Sequence, residues 1–277
     1  MDDREYLYLT RKVLELTSIN LDNYKSQQMR RRLDTFVSHT QAKNIVEYTR
    51  MIKQDQNMLK EFRDFLTINV SEFFRDPSPF EQLRALILPQ LLKNTPRLNI
   101  WSAGCSCGEE AYSVAMILEN ISPYHTHRIL ATDIDEGVLK KAKAGGPYSP
   151  NEIKSVSPIL LKRYFTSSNG DYMVINRIKQ RIEFRQQNLL CDEFEQGFDL
   201  IICRNVTIYF TEEAKRELNQ RFYHSLKDVG VLFIGGTEVM LDATNVGFKG
   251  LGVSFYQKSA LSTSRGINAR EGVLPKI

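Results

Sequence analysis

A chain of 277 residues with 42% hydrophobic and 25% charged content is long enough for a sizeable core, in one large domain or two modest ones, and has an ordinary globular composition. Its net charge of +4 is compatible with an acidic partner but falls short of a nucleic-acid signature. The start Met1-Asp2-Asp3-Arg4-Glu5 lacks the basic and apolar regions of a secretory signal, and no apolar run reaches membrane-spanning length, so a cytoplasmic protein without membrane insertion is expected.

Residues 1 to about 66 read as helical. Tyr6, Leu9, Val13, Leu14 and Leu16 recur near helical spacing, and Tyr24 through Phe36 form a second amphipathic segment. Ile45, Tyr48, Met51 and Ile52 mark a third helix, and Leu59, Phe62, Phe65 and Leu66 a fourth. The second segment carries Lys25, Arg30, Arg31 and Arg32, which reads either as a solvated face or as a docking surface for an acidic partner. Thr67 through Pro77 mixes aromatics with polar residues and closes on Asp-Pro, which ends a helical N-terminal domain placed at residues 1–75. A linker helix from Phe80 through Leu92, within residues 76–97, ends near Pro96.

Residues 98–258 then alternate as an α/β sheet should. Leu98, Ile100 and Trp101 make a short apolar strand; Ala103, Gly104 and Gly108 let backbone approach a ligand; Ser106 and Glu109 have the spacing of a capping box. The following helix sets Ala111, Val114, Ala115 and Leu118 on a sheet-facing side. This loop is neither the G-x-G-x-x-G turn of dinucleotide enzymes nor a Gly-Lys-Ser/Thr phosphate loop. Glu109 and Glu110 in the first helical turn would repel a pyrophosphate but suit an ammonium and a sulfonium, as in S-adenosylmethionine; the plainer alternative is that they only complement the helix dipole.

Strand two is Arg128 to Ile134, followed by a helix from Glu136 to Lys143. Strand three is Ile182 to Asn188, strand four Asp199 to Cys203, and strand five Val229 to Gly235 after a helix from Thr211 to Lys227. A last strand, Val253 to Gln257, returns antiparallel, and the tail 259–277 is expected to be mobile. Between the second helix and strand three, an insert at about 145–180 is too long for an ordinary connection and holds a hairpin around Asn169-Gly170, so it reads as a small β-subdomain. Cys105, Cys107, Cys191 and Cys203 lack paired ligand spacing and the four His are scattered, so reduced thiols and no metal are expected.

In an open α/β sheet, ligands bind at the carboxyl ends of the strands. That rule selects Gly104 to Glu110, Asp133, Asn188-Leu189 and Arg204-Asn205. Asp133 falls at the interval where an acidic side chain meets ribose hydroxyls, whereas Asp135 reads as the N-cap of the next helix. Asn188 would offer its amide to an adenine edge with Leu189 against the ring, unless both are ordinary turn residues.

Four motifs in this order, Asn69-Val70-Ser71-Glu72-Phe73-Phe74-Arg75, Trp101 to Glu110, Ala131-Thr132-Asp133-Ile134-Asp135 and Cys203-Arg204-Asn205-Val206-Thr207-Ile208-Tyr209-Phe210, closely resemble the CheR-type chemotaxis receptor methyltransferases, up to about Lys258. The resemblance implies a cytoplasmic protein-glutamate O-methyltransferase using S-adenosylmethionine, with a helical N-terminal domain, a Rossmann-like methyltransferase domain and a small β-subdomain. It places cofactor contacts on Asn69, Ser71, Arg75, Glu110, Asp133, Asn188, Leu189, Arg204 and Asn205, and sets Arg75 and Tyr209 beside the transfer site as catalytic candidates. Cys107 stands where the family usually has Thr, and Ala111 where it usually has Pro.

A glutamate, with a pKa of about 4.3, is already ionised at neutral pH, so the nucleophile needs no general base. Arg75 suits a carboxylate, either the substrate's or the cofactor's own; Tyr209 orients the reacting oxygen or walls the methionine end. Receptor methylation helices are acidic, which makes Lys25, Arg30, Arg31 and Arg32 a natural docking face for the receptor's cytoplasmic bundle. Some family members also capture a receptor C-terminal peptide on the β-subdomain; the short connection Ser167 to Asp171 predicts that this tether is absent or weak here. A monomer is expected. The competing readings are a nucleic-acid methyltransferase, which the sequence opposes by lacking the Asp/Asn-Pro-Pro-aromatic and Pro-Cys motifs, and a non-catalytic receptor adaptor, which would have no need of Asp133, Arg75, Tyr209 and Glu110.

Overall fold

Asp2 accepts the Glu5 N–H and Glu5 reaches back to the Asp2 N–H, so a capping box opens α1 (Asp3–Thr17). The computed structural model describes residues 2–67 and 69–259. Three more helices follow, α2 (Ser26–Ser38), α3 (Ile45–Gln54) and α4 (Gln56–Leu66), the last two capped by Asn44 and Asp55. Their apolar faces close on Leu9, Val13, Leu33, Tyr48, Ile52 and Phe62, all essentially without solvent contact. The four expected helices are therefore present and form a core of their own.

α5 (Pro77–Gln82), a π-helical turn (Leu83–Ile87) and α6 (Leu88–Asn94) run continuously over the expected linker helix. They bury Phe80, Leu83, Ile87, Leu88 and Leu91 against the main sheet, so this stretch is part of the sheet's packing. Phe73, from the segment before it, lies edge-on to Tyr148 at 4.8 Å and to Phe165 at 5.1 Å, which joins that segment to the same core.

The main sheet contains β1 (Asn99–Ala103), β2 (Arg128–Asp133), β5 (Ile182–Gln186), β6 (Phe198–Cys203), β7 (Leu226–Ile234), β8 (Phe248–Gly250) and β9 (Phe255–Lys258). Its order is β5-β2-β1-β6-β7-β9-β8; the first five strands are parallel, β9 runs antiparallel to β7, and β8 antiparallel to β9. The chain winds outward from β1 to β2 and β5, then restarts at β6 on the other side, so a switch point opens between β1 and β6. α7 (Glu109–Ile121) covers one face and α11 (Glu212–Ser225) the other, with α8 (Glu136–Ala144) beside β2 and β5.

The expected strands are all found, with shifted ends. Strand three stops at Gln186 because Gln187 and Asn188 turn out into the loop, and strand five begins at Leu226, since α11 ends at Ser225. The short β8 escaped sequence reading; at three residues it is too brief to show alternation. The insert holds the hairpin β3 (Phe165–Ser168) and β4 (Asp171–Val174), joined by Asn169 and Gly170 at φ 52° and 86°, as a two-residue turn with both centres left-handed requires. Short helices α9 (Pro158–Tyr164) and α10 (Asn176–Lys179) flank it. Ser259 is anchored, its hydroxyl donating to the Gly247 carbonyl at 2.8 Å; the rest of the expected mobile tail lies outside the described residues.

The helical domain sits across the carboxyl ends of the strands. The Lys25 N–H donates to the Tyr209 carbonyl at 3.0 Å, the Lys25 ammonium to the Ile208 carbonyl at 3.0 Å, and the Thr211 N–H to the Asn23 carbonyl at 2.9 Å. Opposite, Thr67 Oγ1 donates to Asp135 Oδ2 at 2.9 Å. Among the described residues, no helix is long and apolar enough to cross a membrane.

Candidate active site

Gly104 follows β1 at φ 80°, and a Cβ there would lie 2.5 Å from Val206 Cγ2, so only glycine lets the loops after β1 and β6 meet. The Gly104 and Cys105 N–H groups both donate to the Thr132 carbonyl, at 2.8 and 2.9 Å. Ser106 is itself left-handed at φ 49°, and its N–H donates to Asp133 Oδ2 at 2.8 Å. The expected capping box is overturned here. The helix begins only at Glu109, its N-cap is Gly108 at φ 90° without a side-chain cap, and Ser106 lies too far upstream, in the wrong conformation, to cap it.

The two acidic residues of that first turn part company. Glu110 faces the cleft: Oε1 accepts from Ser102 Oγ at 2.9 Å and Oε2 lies 3.7 Å from Arg204 Nη1. Burial raises its pKa, against the Arg204 guanidinium. Glu109 turns the other way, 1% exposed, towards Ser71, Lys141 and Glu152, and burial pushes it up to about 7. The reading that paired both carboxylates with a cationic ligand therefore holds for the position of Glu110 alone. Because the Glu109 pKa is raised in the folded state, its contribution to stability is fully present below the unfolded value and is lost as pH rises through 7. Glu109→Gln removes this pH dependence, so relative to the parent chain it gains up to roughly 3 kcal/mol between pH 4.5 and pH 8. Denaturant midpoints of both proteins across that range measure it; parallel pH profiles would contradict it.

Asp133 closes β2, 8% exposed. Its Oδ1 accepts the Asp135 N–H at 3.0 Å, and burial outweighs the backbone donors around it to push its pKa up to about 6. Asp135 caps α8 as expected, accepting from Gly137 and Val138 at 2.7 and 3.3 Å. Its other oxygen accepts the Asn69 amide at 2.7 Å, which fixes the segment entering from the helical domain. Arg75 Nη1 donates to the Val70 carbonyl at 2.9 Å and closes that segment into a loop, with Phe74 and Asp76 left-handed at φ 53° and 56°.

Arg204 is a buried guanidinium, its side chain 2% exposed, stacked over Phe233 at 4.8 Å and Phe80 at 5.3 Å, with Nη2 on Asp76 Oδ2 at 2.9 Å. Asn205, at φ 60°, is held by Glu238, which sequence reasoning missed. The Glu238 carboxylate accepts the N–H groups of Asn205, Thr207 and Gly235 at 2.7, 2.8 and 2.8 Å, and the Thr207 hydroxyl at 2.8 Å. Its only sequence signal is its place, just past strand five at a carboxyl end. Asn188 Oδ1 accepts the Leu190 N–H at 3.0 Å, so its amide nitrogen remains to meet a ligand, and Leu189 is 7% exposed beside it.

All ten residues singled out from sequence, Asn69, Ser71, Arg75, Glu110, Asp133, Asn188, Leu189, Arg204, Asn205 and Tyr209, line one cleft of about 1060 Å³ including its mouth. Ser106, inside the selected turn, lines it too, as do Tyr24, Arg32 and Gln187, which were not singled out as ligand contacts. Cys107 and Ala111, the two departures in the glycine turn, are absent from its walls: Cys107 accepts the Tyr148 hydroxyl on its carbonyl at 2.7 Å, and Ala111 is packed in the core. Four cleft atoms, Ser106 Oγ, Gln187 Oε1, Arg204 Nε and Asn205 Oδ1, are buried without a hydrogen-bond partner among the described residues. Orphaned donors and acceptors are costly unless a polar ligand meets them, so the donor set fits a nucleoside bearing charged groups.

The four cations of α2 and its approach have different fates. Lys25 is tied to Ile208, Arg30 pairs with Asp3 and covers the Tyr6 ring at 4.3 Å, and Arg32 donates to the Phe65 carbonyl at 2.6 Å from within the cleft wall. Arg31 alone of the four is exposed.

Residues 4–67 match the family described as CheR methyltransferase, all-alpha domain, and residues 69–254 the family described as CheR methyltransferase, SAM binding domain. The chain is 39% identical over 258 residues to a chemotaxis protein methyltransferase of Listeria monocytogenes, covering 93% of this chain and 98% of that one. It is 36% identical over 244 residues to chemotaxis protein methyltransferase 1 of Pseudomonas aeruginosa, covering 84% and 89% respectively. A chemotaxis protein methyltransferase of Borreliella burgdorferi is 32% identical over 242 residues, covering 82% and 85%.

Proposed function

The chain belongs to the CheR methyltransferase family and is an S-adenosylmethionine-dependent methyltransferase, and from that premise we propose that its cleft transfers a methyl group to glutamate carboxylates of chemoreceptors, giving methyl esters. The observation that carries the reading is the cleft itself, where Asp133, Glu110, Asn188 and the four orphaned polar atoms converge at the β1/β6 switch point while Arg75 and Tyr209 line the same walls.

The cofactor supplies an activated methyl on a sulfonium. Asp133 accepts from its ribose hydroxyls, and Asn188 donates its amide to an adenine ring nitrogen over Leu189. Glu110 faces its ammonium, held in place by Ser102 and Arg204. Asn69, Ser71, Arg204 and Asn205 complete the walls, and Arg75 takes the cofactor's carboxylate. A substrate glutamate arrives ionised, so the chain removes no proton; it holds one carboxylate oxygen in line, which Tyr209 does through its hydroxyl. An Arg75 clamp on that same oxygen would blunt its nucleophilicity, which favours assigning the guanidinium to the cofactor.

These roles predict separable kinetics. Arg75→Ala raises the KM for S-adenosylmethionine by about 10- to 100-fold, the worth of a charge-assisted hydrogen bond. Tyr209→Phe lowers kcat by about tenfold and leaves cofactor affinity unchanged. Steady-state assays with a chemoreceptor cytoplasmic fragment measure both, and an unchanged kcat for Tyr209→Phe would leave the side chain only an aromatic wall. Replacing the fragment's methylation-site glutamates by alanine should abolish transfer.

The enzyme acts in the cytoplasm as a monomer, its helical domain docking on the receptor's acidic helices. Lys25, Arg30 and Arg32 contribute field from engaged positions, and Arg31 makes direct contact. Tethering through a receptor C-terminal peptide is absent or weak, since β3 and β4 are joined by Asn169 and Gly170 alone; measurable binding of such a peptide would refute this.

A further inference from the structure

The loop after β5 carries Asn188 and Leu189, and most of its hydrogen bonds are local. The Asn188 N–H donates to Asp192 Oδ2 at 2.7 Å, and the Cys191 and Asp192 N–H groups donate to the Asn188 carbonyl at 3.2 and 2.9 Å. Asn188 Oδ1 takes the Leu190 N–H, and the Gln187 amide donates to the Glu193 carbonyl at 3.0 Å. These bonds close the segment on itself without fixing where it sits. One end is tied to β2, since the Gln187 N–H donates to the Asp133 carbonyl at 2.9 Å.

The other tie comes from α11. Leu218 and Phe222 bury that helix against the sheet, and Arg221 reaches from it to the loop. Its Nη1 donates to the Leu189 carbonyl at 2.5 Å and its Nη2 to the Asp192 carbonyl. The guanidinium lies over the Phe194 ring, 3.8 Å from its centroid. Phe194 in turn stands edge-on to Trp101 at 4.7 Å and stacks on Phe222 at 5.7 Å. A planar fork serves this place because it holds two carbonyls at once while lying flat on an aromatic face, which a lysine ammonium does not do. Held by its carbonyl, Leu189 keeps its side chain in the cleft wall, whereas Arg221 is absent from that wall.

We propose that Arg221 is a positioning residue for the cofactor's adenine: it meets no ligand atom itself and fixes the Asn188-Leu189 turn where the ring is received. This rests on the functional reading above and deepens it. The effect is confined to one end of the ligand, because the contacts assigned to the amino-acid end, Glu110 and Arg75, lie on other loops. Loss of the fork lets the turn shift, so part of the binding free energy goes into ordering it again.

The test uses the full chain and two probes, S-adenosylhomocysteine and methylthioadenosine, the second keeping the adenosine and thioether and lacking the amino acid. Arg221→Met keeps an apolar stem on Phe194 and removes both donors; Arg221→Lys keeps the charge without the fork. Calorimetric titration should show both probes bound about tenfold more weakly by Arg221→Met at full stoichiometry, with Arg221→Lys recovering part of the loss. In turnover the change should appear in the KM for S-adenosylmethionine rather than in kcat. Parent affinity of Arg221→Met for both probes overturns the proposal. So does reduced stoichiometry at parent affinity, the mark of a partly unfolded protein in which Arg221 only packs. Weakening of S-adenosylhomocysteine but not methylthioadenosine would move the effect to the amino-acid end and contradict adenine positioning. Failure of the parent chain to bind either probe would instead refute the functional reading itself.

Discussion

Asp133→Ala should weaken S-adenosylhomocysteine binding by at least about 100-fold, because the substitution removes a ligand contact and the loop that frames it. The carboxylate is the acceptor for the Ser106 and Asp135 N–H groups at 2.8 and 3.0 Å, both in buried surroundings. Without it, two backbone donors are orphaned at about 1–3 kcal/mol each, and Ser106, already left-handed, loses the bond that holds the glycine turn over the cleft. Titration calorimetry and a denaturant series measure the two parts. A variant that keeps native affinity would show that the turn, and not Asp133, holds the ribose. The same carboxylate gives a signature in pH. Its pKa of about 6 means that affinity falls as pH drops through 6 and the acceptor is protonated. Stability moves the opposite way: a raised carboxylate contributes stability below its unfolded value that is lost as pH rises through 6, so the ligand-free chain gains as it acidifies towards pH 4.

Arg204→Met is expected to cost about 3–5 kcal/mol of stability, the loss typical of breaking a buried ion pair by removing one partner. The guanidinium lies between Phe80 and Phe233 and is the main opposing charge to Glu110, whose pKa burial has already raised. Methionine fills the slot between the rings but leaves Glu110 the Ser102 hydroxyl and the more distant Arg75 charge. The double variant Arg204→Met, Glu110→Gln should recover part of the loss, since the uncompensated charge is gone, whereas cofactor binding stays lost. Denaturant unfolding of the two single variants and the double one closes the cycle; strict additivity would show that Arg204 and Glu110 act independently across their 3.7 Å.

What was legible in the sequence was whatever a short period or a strand end dictates. β1 and β2 announce themselves by apolar runs, and the rule that loops after parallel strands carry function sufficed to select Asp133, Asn188, Arg204 and Asn205. The Asn169-Gly170 hairpin and the Asp135 cap were likewise readable, because their chemistry is local. Ser106 and Glu109 show how local spacing misleads. Three left-handed residues, Gly104, Ser106 and Gly108, carry the chain past the point where a helix starting at Cys107 would need its cap. The remaining gaps are contacts made across long stretches of chain. Glu238 binds backbone about 30 residues away, Lys25 reaches Ile208 across 183, and neither leaves a pattern in the residues around it. Arg30 and Arg32 read as one cationic patch with Arg31, yet successive residues on a helix point about 100° apart, so one finds Asp3 and the other the cleft.

The most direct test of the account is transfer of labelled methyl from S-adenosylmethionine to a chemoreceptor cytoplasmic fragment, followed by mild alkali. Label released as methanol is the predicted result, since only a carboxyl ester hydrolyses so readily, and it should vanish with Asp133→Ala. Alkali-stable label on the fragment, or transfer to RNA in its place, would contradict a glutamate as the acceptor.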